Sequence, residues 1–139
     1  MHIPGHIAVA LALHCLPPPS NNQLTLKPLL LASLFPDLVD KTIGYIFHLM
    51  PSGRHYAHNL FSLLSLSALV TMIWGRTIGY AWFLGYLGHL LADRQTLVPW
   101  FFPVKRYGFK KGRFSLAPIQ FLREMGFLML VIVIYRACR

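Results

Sequence analysis

Trp74-Gly75-Arg76-Thr77 joins two stretches that are apolar nearly throughout, residues 55–74 and 77–93. So short a connection leaves no room for a crossover, so the two stretches, read as helices, must run antiparallel and side by side. Residues equidistant from the turn then share a depth. His58 lies eighteen residues before Arg76 and Asp93 seventeen after it, which brings both to one end of the hairpin. His89 stands one helical turn from Asp93 on the same face, because positions i and i+4 overlie each other.

Three more segments have the apolar character to enter a bilayer. Residues 3–16 are stopped by Pro17-Pro18-Pro19, which no helix interior tolerates, and the polar Ser20-Asn21-Asn22-Gln23 makes the turn. Residues 24–40 follow, and residues 117–135 are the most apolar of all. With the N-terminus on the same side as His58 and Asp93, the first helix leaves that side and the second returns to it. His6 and Asp37 then arrive there too. The expected fold is all-α, a polytopic membrane bundle of about four to five membrane-embedded helices, with residues 1–139 as a single integral membrane domain. The first two segments are shorter than the ~20 residues of a full span and are compatible with re-entrant helices.

Composition supports the membrane. The chain is 55% hydrophobic and only 12% charged, with a mean hydropathy of +0.52, too apolar for an ordinary soluble domain of 139 residues. Its formal charge of +9 does not point to nucleic acid, since the basic residues flank apolar runs rather than forming a stripe on a soluble face. Anionic lipid headgroups are the expected partners. Eight basic residues fall in loops on the side of His58 and Asp93 against four on the other, which places that side in the cytoplasm by the positive-inside rule. The connection 96–114 carries an aromatic run, Pro99-Trp100-Phe101-Phe102-Pro103, suited to the headgroup boundary. Cys15 and Cys138 are too few and too far apart for a disulfide framework. Residues 3–16 lack the basic region and cleavage site of a signal peptide and are read as part of the mature protein.

Against this background the acids stand out. The chain has four, and three of them, Asp37, Asp40 and Asp93, occupy the ends of hydrophobic segments. A carboxylate at the edge of an apolar helix is costly unless paired or bound to a cation, and at a helix C-terminus it opposes the macrodipole. Imidazole from His89 and carboxylate from Asp93 can converge on one ion, and Asp37 and Asp40 add hard oxygens. His55 and His58 are expected to open the third helix after Ser52-Gly53-Arg54, where a neighbouring Arg favours the neutral imidazole that a metal needs. The divalent ion expected is zinc first, with manganese or magnesium as alternatives.

The series Gly5-His6, Phe35-Pro36-Asp37-Leu38-Val39-Asp40-Lys41, Gly53-Arg54-His55-Tyr56-Ala57-His58 and Gly85-Tyr86-Leu87-Gly88-His89-Leu90-Leu91-Ala92-Asp93 resembles the YdjM-type predicted membrane-bound metal-dependent hydrolases. The resemblance covers most of residues 1–103. It implies a small helical membrane protein with His6, Asp37, His58, His89 and Asp93 at the metal-binding motif positions, and hydrolase activity. Two positions depart from the pattern: His55 stands where a small polar residue is common, and Asn59 where Ser or Thr is.

Two functions fit these residues. In the first, a divalent ion activates water for attack on a phosphoester, with a lipid-borne phosphate as the expected substrate. Arg54 would stabilise anionic charge and Asp40 would serve as general base. In the second, the same residues bind or conduct divalent cations without catalysis. A conduit should carry polar side chains along its whole depth, whereas the candidate ligands all sit at one face.

Overall fold

Gly75 adopts φ +87°, a conformation open to glycine and strained for other residues, and its amide donates to Thr71 O to close the turn. The computed structural model describes residues 2–16, 24–49, 56–94, 98–105, 107 and 118–138. The described residues form five α-helices and no strand: α1 (Ile3–Cys15), α2 (Leu26–Lys41), α3 (Leu60–Trp74), α4 (Arg76–Ala92) and α5 (Pro118–Ala137). A π-helical turn, Thr42–Ile46, prolongs α2.

Two boundaries differ from the expectation. The third helix starts at Leu60 rather than at His55, because Asn59 forms its N-cap: the Asn59 side chain accepts from Ser62 N at 2.8 Å and donates to Tyr56 O at 2.6 Å. His58 therefore lies in the stretch leading into α3, not in its first turn. Asn59 does the capping that Ser or Thr would do in its place. The second helix runs past Asp40 into the π-helical turn, so Asp37 and Asp40 stand within a continuing helix and not at its terminus.

Helix α4 is central, touching α1, α2 and α3, while α5 packs on α1 alone among the described elements. The contact of α2 with α4 is backbone to backbone at Gly85, where a Cβ would fall 2.2 Å from Leu29 O. Ala32, Leu63, Tyr86, Leu90 and Val98 form one core cluster beside this crossing, and Ala10, Leu29 and Ala81 form a second. Glu124 of α5 is buried; its Oε2 accepts from His2 N at 2.7 Å and its Oε1 from Gln120 Nε2 at 3.1 Å. A carboxylate at the start of α1 also complements that helix's dipole.

Polarity is inverted relative to a soluble protein. His6, Asp37, Asp40, His58, His89 and Asp93 are buried, whereas Met72 is 84% exposed and most of the exposed residues of α3 and α5 are large and apolar, among them Leu64, Leu69, Leu122, Met129 and Val133. Apolar surface of this extent is stable against lipid and not against water. α5 has the length and apolarity to cross a bilayer; α1 and α3 are apolar but shorter. At 1.5 Å per residue α5 reaches about 30 Å and α1 about 20 Å, so among the described residues one helix, α5, meets the full hydrocarbon thickness by itself.

Candidate metal centre

Four separate pieces of chain deliver the five expected ligands to one point. Pro4, in the first turn of α1, starts that helix and sets His6 one turn in. Asp37 comes from α2, His58 from the stretch before α3, His89 from the last turn of α4, and Asp93 from the residue just past it. His6 Nε2 lies 3.6 Å from Asp37 Oδ2 and 3.7 Å from Asp93 Oδ1. His58 Nε2 lies 3.5 Å from Asp37 Oδ1 and 3.9 Å from Asp93 Oδ2, and His89 Nε2 lies 3.9 Å from Asp37 Oδ1. Each carboxylate thus turns one oxygen to His6 and the other to His58. One ligand atom each from His6, Asp37, His89 and Asp93 fit within 4.8 Å of one another.

The imidazoles are held in defined tautomers by groups behind them. His89 Nδ1 sits 2.7 Å from Ser33 O, and a carbonyl can only accept, so Nδ1 carries the proton and Nε2 presents a lone pair to the cluster. His58 Nδ1 sits 2.7 Å from Asp40 Oδ2, the carboxylate–histidine arrangement that orients metal-binding histidines. Asp40 is anchored in turn, its Oδ1 accepting from Tyr56 N at 3.1 Å and Ala57 N at 2.9 Å. Tyr86, wholly buried on α4, donates its hydroxyl to Ala57 O at 2.5 Å and fixes the same stretch from the other side. His6 stacks on His89 with ring centroids 3.9 Å apart.

Of the buried side-chain atoms without a hydrogen-bond partner, two face the cluster: Nε2 of His6 and Oδ1 of Asp37. Buried polar atoms are rarely left so, and a shared explanation is a cation between them. The residues fit a divalent ion on this ground and on donor chemistry, three imidazoles with two carboxylates. Without a cation, burial pushes the pKa of His58 down, but Asp37 and Asp40 beside it raise it by more, so it lies above the ordinary histidine value.

Asp40, expected as general base, stands behind His58 with both oxygens bonded rather than facing the cluster. Arg54 and His55 lie outside the described residues. The aromatic connection borders the His58 stretch: Trp100 O accepts from Leu60 N at 3.0 Å, and Phe102 meets Tyr56 edge to face. Sequence reasoning did not single out Lys41, whose Nζ lies 2.5 Å from Asp37 Oδ2, although the i, i+4 spacing was visible. It also missed Ser33, which contributes a backbone carbonyl, and Tyr86.

Neither the curated proteins nor the solved structures contain a match to this chain. The family model described as YdjM inner membrane protein matches residues 1–139, the whole chain, and the protein belongs to that family.

Proposed function

We propose that this protein is a metal-dependent hydrolase embedded in the inner membrane, cleaving a lipid-borne phosphoester at the cytoplasmic face. One observation carries the metal: His6 Nε2 and Asp37 Oδ1 are buried without a hydrogen-bond partner and face the point to which His58 and His89 also bring Nε2. His58 Nε2 and His89 Nε2 lie 3.1 Å apart, a contact that a proton on His58 bridges in the ion-free fold and that a cation would take over. Nitrogen ligands at ~2.0–2.1 Å from a tetrahedral zinc are separated by about 3.3 Å, close to this spacing. Zinc is the preferred ion, with manganese or magnesium favoured by a larger share of carboxylate and water.

A bound divalent ion supplies a water of lowered pKa and polarises a phosphoryl oxygen. The chain's own residues do the rest. His6, His58, His89 and Asp93 would hold the ion, and Asp40 positions His58. Asp37 Oδ2 is paired with Lys41, whereas Oδ1 has no hydrogen-bond partner and can take a proton from an attacking water. Arg54, two residues before the described stretch that carries His58, is assigned to the anionic charge that builds on the phosphoryl group. The count of basic residues in the loops supports the cytoplasmic orientation.

A non-enzymatic cation carrier is the competing reading. Among the described residues the buried polar side chains deeper than the cluster are Ser33 and Ser67, too few to line a path. Metal analysis of the purified protein, together with turnover on a panel of lipid phosphates, tests the proposal. Wild type should carry stoichiometric divalent metal and hydrolyse a member of the panel. Asp93→Asn, isosteric but uncharged, should weaken metal binding by at least the ~10- to 100-fold typical of an outer-shell change, and excess metal should restore part of the activity. A wild-type protein without stoichiometric metal, or an Asp93→Asn variant with metal and turnover unchanged, overturns it. Metal loss with no hydrolysis of any lipid phosphate shifts the assignment to the carrier or to a structural ion.

A further inference from the structure

Beside the cluster, a cavity of about 540 Å³ opens between α1, α2 and the start of α5, within the ~300–1,000 Å³ usual for small-molecule sites. One of its walls is a single stripe of α2, Leu31, Leu34, Leu38 and Lys41, spaced as successive turns of one helix face. Ile3, Trp82 and Phe121 supply apolar surface opposite. The polar residues lining the cavity are His2, Asp37 and Lys41, and Asp37 belongs to the cluster itself. The groove is therefore apolar at depth and carries the Lys41–Asp37 ion pair at its mouth, where it meets the candidate metal centre.

Its length is informative. From Leu31 to Lys41 the helix rises about 15 Å, half of the ~30 Å hydrocarbon thickness of a bilayer. A groove one leaflet deep, running along a helix and ending in a lysine at the site face, has the dimensions and polarity of one lipid lying in its own leaflet. Every CH₂ taken into such a groove from water stabilises by roughly 0.8 kcal/mol, but taken from a bilayer it gains almost nothing, so selection must come from the headgroup end. Lys41 supplies it. Its ammonium lies against Asp37 Oδ2 and its side chain is partly exposed, so it can contact an anionic group without leaving that carboxylate.

We infer that this groove seats one acyl chain of a phosphate-bearing lipid from the cytoplasmic leaflet, with Lys41 as the residue that receives the phosphate at the edge of the metal centre. The substrate then enters sideways from the bilayer and never crosses water. As a statement of which lipid the centre acts on, this rests on the hydrolase reading; as a binding site, it does not.

Phosphatidic acid carrying a photoactivatable diazirine in one acyl chain, held at low mole fraction in phosphatidylcholine nanodiscs with the full-length protein, tests it. Cross-linked peptides should concentrate on the 31–38 stripe of α2 and on Ile3 and Phe121. Leu34→Trp, which fills the groove, should cut that labelling at least tenfold with metal content unchanged. Leu38→Trp is the second variant, since Leu38 is 68% exposed and its replacement disturbs no packing. Lys41→Met should lower labelling by phosphatidic acid severalfold and leave labelling by diacylglycerol with the same diazirine chain unchanged. Labelling spread over the outer faces of α3 and α5 and indifferent to both tryptophans overturns the inference, even if the protein hydrolyses lipid phosphates. Groove labelling that both tryptophans abolish, in a protein that hydrolyses nothing, upholds the lipid site and removes the hydrolase reading.

Discussion

Asp40→Asn isolates the role of a residue that touches the cluster only through another. In the native protein Asp40 Oδ1 accepts from two backbone amides and Oδ2 meets His58 Nδ1 at 2.7 Å. In the asparagine variant the two amides still require an acceptor, so the carbonyl oxygen stays with them and the NH₂ group turns to His58. A donor then faces Nδ1, which must become the acceptor, and the ring proton moves to Nε2, where the lone pair for the ion was. The fold survives because the backbone bonds do. Metal affinity should fall by ~10- to 100-fold, equivalent to about 1.4–2.8 kcal/mol. Chelator competition on the purified protein measures this, and a double-mutant cycle with His58→Ala assigns it. Once His58 is gone, Asp40→Asn should have almost no further effect. An unchanged affinity, or a loss of equal size in the His58→Ala background, would refute the positioning role.

Three further outcomes are expected. Gly85→Ala places a methyl 2.2 Å from Leu29 O and should destabilise by ~1–3 kcal/mol as α2 and α4 separate, with weaker metal binding as His89 leaves Ser33 O; a variant with the parent's melting temperature and affinity would contradict the backbone contact. His58, raised above the ~6.5 of a free histidine, holds a proton in the ion-free fold that the unfolded chain releases, so its contribution to stability is complete below pH ~6.5 and disappears as pH rises through the folded value. Metal uptake at neutral pH should therefore expel up to one proton per ion and tighten with rising pH, and calorimetry in buffers of different ionisation enthalpy would expose uptake without proton release. Lys110→Cys, in a Cys15→Ser/Cys138→Ser background, should resist impermeant maleimide in intact cells and react after permeabilisation; labelling of intact cells would invert the topology.

The convergence of His6, Asp37, His58, His89 and Asp93 was legible because a very short turn makes depth countable, and alternation of the remaining helices carries the count to His6 and Asp37. The start of α3 was not. Tyr56 and Ala57 extend the apolar character back past His58 and Asn59, and the hydrogen bonds of Asn59 that stop the helix depend on how the chain turns there. Asp40 was recognised as part of the site but given the wrong neighbourhood, since sequence spacing says that it lies near Asp37 and not which way it faces. Ser33 could not have been found: a backbone carbonyl has no residue signature, and its partner His89 is 56 positions away. The number of spans was read from hydrophobicity, which registers apolar runs but not the helix lengths that determine reach.

The dispersal of the candidate ligands over four pieces of chain would make a bound ion a cross-link. Held by His6, Asp37, His89 and Asp93, it would join α1, α2 and the end of α4, and through His58 the stretch before α3, none of which carries a complete ligand set. The unfolded chain cannot present that geometry, so the binding energy is added to the stability of the fold, about 2.7 kcal/mol at a free ion concentration one hundred times Kd. Occupancy and cohesion of the bundle then become one quantity. On the proposed reading, a cell that runs short of the metal would lose the firmness of this protein along with its activity.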